Sequence, residues 1–130
     1  MNATSRWITA AFLGLFALPL AAQSLGAQES LAKKWKLAYY EEAGERIPPA
    51  PDQRNDVMDL RADHTVVSIE SSRTQQGTWS YDVGKKQLVV VDNDTKERMV
   101  LRVVALDPKS CVLEFKDPDG VALRMHMVPL

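Results

Sequence analysis

From Lys34 to Met127 the chain consists of short segments with an apolar side chain on every second residue, separated roughly every 8–12 residues by turn formers. A side-chain period of two belongs to extended backbone. The pattern therefore predicts an all-β sandwich or barrel. Eight strands are expected, each with an inward set: about 34–41 (Trp35, Leu37, Tyr39), 57–61 (Met58, Leu60), 65–71 (Val67, Ile69) and 78–82 (Trp79, Tyr81). The other four are about 87–92 (Leu88, Val90), 97–105 (Met99, Leu101, Val103), 111–116 (Leu113, Phe115) and 121–127 (Leu123, Met125, Met127).

The connections after residue 57 are short and rich in turn residues. "RADHT", "DVGKK", "DNDTK", "LDPKS" and "KDPDG" supply Asp, Asn, Pro and Gly where a chain reverses. Gly84 and Gly120 are expected to take the left-handed conformations. Short loops imply sequential antiparallel neighbours. A simple meander would leave two open edges, and closing the first strand on the last removes both. The one long connection, Ala43 to Asp56, carries three prolines among its residues "AGERIPPAPDQRND". It is too stiff for a helix or a central strand. It reads as a surface crossover at one end of the barrel, or as a lid over an open mouth.

Residues 1–27 read as an export signal: Arg6, then an almost wholly apolar run from Trp7 to Leu20, then small residues. The run is shorter than the ~20 residues a membrane-spanning helix needs. Cleavage is expected after Ala27, with Ala22 as second choice, which leaves one domain at 28–130. The mature chain is then expected in the periplasm or outside the cell. The whole chain carries a formal charge of −1, and Arg6 is the one charged residue of the leader. A weakly acidic chain with interspersed signs lacks the basic footprint of a nucleic-acid binder. Cys111 is the sole cysteine, so no disulfide can form within the chain, and its place in "CVLEF" reads as a buried small hydrophobe.

Candidate chemistry is sparse. "MHMVPL" raises a copper site, because exported Met and His bind that metal. On a strand, however, Met125 and Met127 share one face and His126 takes the other, so core methionines are the expectation. Asp63-His64 raises an acid–base pair, yet His is enriched at positive φ and the pair stands at a turn. "DNDTKE" lacks the glycine and terminal glutamate of a calcium loop. Neither a cofactor nor a metal is expected, and no nucleophile motif stands out.

The order of these segments resembles the lipocalin-like proteins of the calycin group, in particular the compact bacterial secreted kind. Lys33-Lys34-Trp35-Lys36-Leu37, "LRADHT" at 60–65, "GTWSYD" at 77–82 and the final strands ending "MHMVPL" carry the resemblance. Lys33 stands where the family's first-strand motif has Gly, and His64 where its following turn usually has Gly. The resemblance implies an eight-stranded antiparallel up-and-down barrel, closed at one end and open at the other onto an apolar cavity. It also implies that Trp35 plugs the closed end against an arginine of the last strand, for which Arg124 is the candidate.

The functional expectation is an exported, non-enzymatic protein that binds a small apolar or amphipathic ligand in the barrel mouth. Tyr39, Trp79, Tyr81 and Met127 are the expected ligand-binding residues. The alternative is a filled barrel, without a small-molecule ligand, that serves as a protein-interaction or envelope-stress module.

Overall fold

Alternating side chains need a second surface to bury against, and an eight-stranded sheet finds it by curling onto itself. The computed structural model describes residues 20–130. Residues 1–19, which hold most of the expected leader, lie outside the described residues. A helix α1 (Leu20–Leu31) precedes the strands β1 (Lys34–Glu42), β2 (Glu45–Ile47), β3 (Val57–Leu60), β4 (Thr65–Glu70), β5 (Arg73–Asp82), β6 (Gln87–Asp92), β7 (Arg98–Asp107), β8 (Ser110–Lys116) and β9 (Ala122–Pro129). All pairings are antiparallel, in the order β2-β1-β3-β4-β5-β6-β7-β8-β9, and β1 also pairs β9. Eight strands thus form a closed meander, as the sequence predicts. β2 is an addition to it, a short flap hydrogen-bonded to the far end of β1. Among the described residues, no helix is long and apolar enough to cross a membrane.

The long connection is more ordered than its prolines suggest. Ala43 and Gly44, both at positive φ, turn the chain back so that β2 pairs with β1. A single 3-10 turn at Pro51–Gln53 follows. Asp56 then ties the end of the connection to the β4–β5 hairpin by accepting the Ser71 amide at 2.8 Å.

The closed end holds the core. Trp35, Leu60, Val66, Trp79, Leu88, Leu101, Val103, Cys111, Leu113 and Met127 are buried together there, and Leu31 joins them from the last turn of α1. The Trp35 indole donates to the Leu31 carbonyl at 2.9 Å. Burying an indole leaves its N–H in need of an acceptor, and the end of the helix supplies one. Trp79 is fastened in the same way: its indole donates to the Arg61 carbonyl at 2.9 Å. His64, at φ 69°, turns β3 into β4 as expected, and its ring packs against Trp79 with centroids 5.1 Å apart. Cys111 is 1% exposed, and burial pushes its thiol up to about 12, so it is an inert filler.

Four expectations need correction. First, β4 turns Val66 inward, not Val67 and Ile69. Val66 is 3% exposed and pairs with the inward Leu60, which carries Ser68 and Glu70 to the inner face as well. Apolar residues on both faces of "TVVSIE" hid this. Second, β5 begins at Arg73 rather than near 78, because Ser71 and Ser72 both adopt positive φ and close a two-residue hairpin. Third, the β5–β6 turn places its positive φ on Lys86, not on Gly84. Fourth, Arg124 does not stack on Trp35. Trp35 pairs with Pro129, five residues along β9 from Arg124, or about 17 Å of strand. Lys33 provides the cation instead, with its ammonium 5.5 Å from the Trp35 ring centroid and 3.1 Å from the Pro108 carbonyl. The lysine that replaces the expected glycine therefore does the work expected of a last-strand arginine.

Arg124 belongs to the outer wall. Glu114 accepts from Arg102 (3.0 and 3.2 Å) on β7 and from Arg124 (3.0 Å) on β9, its direct cross-strand partners. The Arg124 and Arg102 hydrogen bonds hold the Glu114 carboxyl below its ordinary 4.5. A depressed carboxyl contributes stability above its unfolded value and loses it as the pH falls through the folded value. Acidification below about pH 4.5 should therefore lower the urea midpoint of the wild type more steeply than that of Glu114→Gln. Parallel pH profiles of the two proteins would contradict this assignment.

Gly77 marks a close approach of β5 to β6. It faces inward on β5, and a Cβ there would collide with the Val91 carbonyl oxygen of β6. Gly77→Ala is expected to destabilise the barrel by roughly 1–3 kcal/mol, read as a lower urea midpoint with unchanged slope. An unchanged midpoint would show that the two strands do not approach in this way.

Candidate functional site

The open end is set by one extra residue in β1. Leu37 pairs with Met127 and Tyr39 with the adjacent His126, so Ala38 is unmatched and forms a bulge. Before it, the odd-numbered Trp35 and Leu37 face the interior. After it the alternation inverts: Tyr40 lines the interior and Tyr39 faces out. The expectation of an inward Tyr39 is therefore corrected. Its ring stacks on His126 at 4.3 Å and lies beneath the Arg46 guanidinium at 4.0 Å. His126 in turn meets Glu41 at 2.7 Å. This outer stack fastens the β2 flap and β1 to β9.

Above the core, the interior is not filled. Two lobes of about 240 Å³ each open at the mouth and share Met58, Ser68, Glu70 and Met99. One lobe runs along β4, β5 and β6, past Val66, Gln75, Gly77 and Val90. The other runs along β1, β8 and β9, past Leu37, Tyr40, Phe115, Met125 and Met127. Met58 and Met99 come from opposite walls of the ring, since β3 and β7 are four strands apart around it. Flexible thioether side chains suit a surface that adapts to varied apolar shapes. Met99 faces inward yet is 48% exposed. An inward methionine left half open marks an apolar cavity rather than a packed core.

The rim is acidic. Asp56 and Glu70 border the second lobe, while Glu70, Asp92 and Glu97 border the first together with Arg98. The Tyr40 phenol lies above its ordinary value of 10, chiefly through burial and then through the charges of Asp56 and Glu70. Asp92 is committed to its own turn, where it accepts the Asp94 and Thr95 amides at 2.8 and 2.9 Å. Among the described residues, Glu70 accepts only a long 3.4 Å hydrogen bond from Ser68. Among the described residues, no group of three His, Cys, Asp or Glu side chains is arranged to hold a metal ion.

The structure separates the four residues that the sequence singles out. Met127 forms part of the cavity floor. Trp79 and Tyr81 lie at the closed end: Trp79 is 3% exposed in the core, and Tyr81 packs against that core with Cys111 among its neighbours. Neither lines a lobe of the mouth. Tyr39 is outside. The residues that sequence reasoning missed are Tyr40, Ser68 and Glu70. Tyr40 is hidden by the bulge, and no local pattern announces it. Ser68 and Glu70 were findable, because pairing Leu60 with Val66 across the "RADHT" turn puts both on the inner face.

No protein-family model matches the chain, and no curated protein does. Solved structures do match. A lipocalin-like protein from Bacteroides uniformis superposes with a TM-score of 0.57 at 16% identity, over 78% of this chain and 99% of that one. A DUF4847 family protein from Bacteroides vulgatus gives a TM-score of 0.51 at 13% identity, over 75% of this chain and 92% of that one. With the closed eight-stranded meander, these similarities define the fold as lipocalin-like.

Proposed function

We propose that the chain is an exported, non-enzymatic binding protein that holds a small apolar or amphipathic molecule in the barrel mouth. The observation that carries this reading is Met99, inward and half open, above a floor in which Leu88, Leu101 and Leu113 are at most 1% exposed. A barrel filled to its rim, the form suited to a pure interaction module, would bury that side chain. Concave, mostly apolar sites with a few polar groups are what small molecules occupy.

The export part of the proposal rests on the apolar leader. Its expected cleavage after Ala27 falls within α1 and spares the turn from Gln28 to Leu31 that the barrel uses: the Ala32 amide bonds the Gln28 carbonyl at 2.8 Å, and Leu31 is fully buried.

Titration with N-phenyl-1-naphthylamine, a neutral apolar fluorophore, tests the binding reading. Saturable enhancement is expected, weakened about tenfold by Met99→Lys, which sets a charge against the apolar lobes at a position exposed enough to tolerate it. Tyr81→Phe should bind as the wild type does. Silence across a broad panel of apolar probes, or full binding by Met99→Lys with loss in Tyr81→Phe, would overturn the proposal.

A further inference from the structure

Of the carboxylates around the mouth, one borders both lobes. Glu70 borders both lobes, and its carboxylate has acceptor capacity beyond the single 3.4 Å contact from Ser68. Asp56, 9% exposed, borders the same lobe as Tyr40 and keeps a bond to the Ser71 amide. Around the mouth, four carboxylates (Asp56, Glu70, Asp92 and Glu97) face one cation, Arg98. Arg98 is in no ion pair among the described residues. Arg73 sits directly opposite Glu70 in the β4–β5 hairpin, is exposed, and borders neither lobe.

Resting on the binding reading above, we infer that the mouth takes a cationic amphiphile, a protonated alkylamine whose ammonium sits at Glu70 and whose tail lies against Met58, Met99 and Phe115. The chemistry is complementary on both counts. A protonated amine brings N–H donors and a positive charge, and Glu70, Ser68 and Gln75, which line the first lobe, all carry acceptor oxygens. A carboxylate headgroup brings only acceptors and would stand among four carboxylates, against Arg98 at the mouth and the exposed Arg73 opposite Glu70. An alkylamine keeps its proton at neutral pH, as a lysine side chain does.

Calorimetric titration of the full mature chain with decylamine, decanol and decanoate tests this, because the three share a tail and differ only in the headgroup. Decylamine is expected to bind about two- to fivefold more tightly than decanol, with decanoate the weakest. The advantage over decanol should shrink in about 0.5 M sodium chloride, where surface charge is screened. It should vanish in Glu70→Gln, so that decylamine and decanol bind alike, and it should grow in Arg98→Gln. If decanol binds but decylamine binds no tighter, or decanoate binds best, the headgroup inference falls and the apolar-mouth reading stands. If Glu70→Gln keeps the full preference, the assignment to Glu70 falls. If none of the three binds, both readings fall together.

Discussion

Everything in this barrel hangs on β1. Along one edge it pairs with β9 and closes the ring; along the other it pairs first with β3 and then with the β2 flap. Because the side-chain period of a strand is two, one inserted residue changes which face a side chain occupies. Ala38 is that residue. Below it, Trp35 and Leu37 face the packed floor. Above it, Tyr40 faces the mouth, and Tyr39 is released to clamp the outer wall against His126. A single strand thus builds both ends of the molecule, with the change from core to cavity at its bulge.

The two ends differ in how fully they are packed. At the closed end both buried indoles are satisfied: that of Trp35 by Leu31, that of Trp79 by Arg61. Among the described residues, no buried side-chain nitrogen or oxygen lacks a partner. A chain without disulfides depends on such complete packing. At the open end the same strands carry methionines, glutamines and carboxylates that do not fill the space between them. Gly77 stands where these regimes meet. It allows β5 to approach β6 closely, and it leaves the first lobe with no side chain at that point of its wall.

Much of this was legible in the residues. The period-two segments give the eight ring strands, and the short polar turns give their order. The inner faces of β8 and β9, and of β7 as far as Val103, follow from alternation, because in each of them one face is the more apolar. The illegible parts have physical causes. The bulge at Ala38 leaves no mark in "KWKLAYYEE", where Tyr39 and Tyr40 are equally plausible inward residues. The first half of β5, "RTQQG", is too polar to announce a strand, because half of it borders solvent at the mouth. The strand β4 carries Val66 on one face and Val67 and Ile69 on the other, so only its pairing with β3 decides the matter. The mouth is legible last because its residues are not selected for burial, which is the one property that periodicity reports.

The central claim is that ligands enter above the bulge and leave the floor untouched. It is tested most directly by nuclear magnetic resonance of the chain from Gln28 onward, labelled at methionine methyls and tryptophan indoles and titrated with an apolar amphiphile. The account predicts that the methyl signals of Met58, Met99 and Met125 shift together while the indole signals of Trp35 and Trp79 stay in place. Movement of the indole signals with the methyls unmoved would put the ligand at the closed end and contradict it.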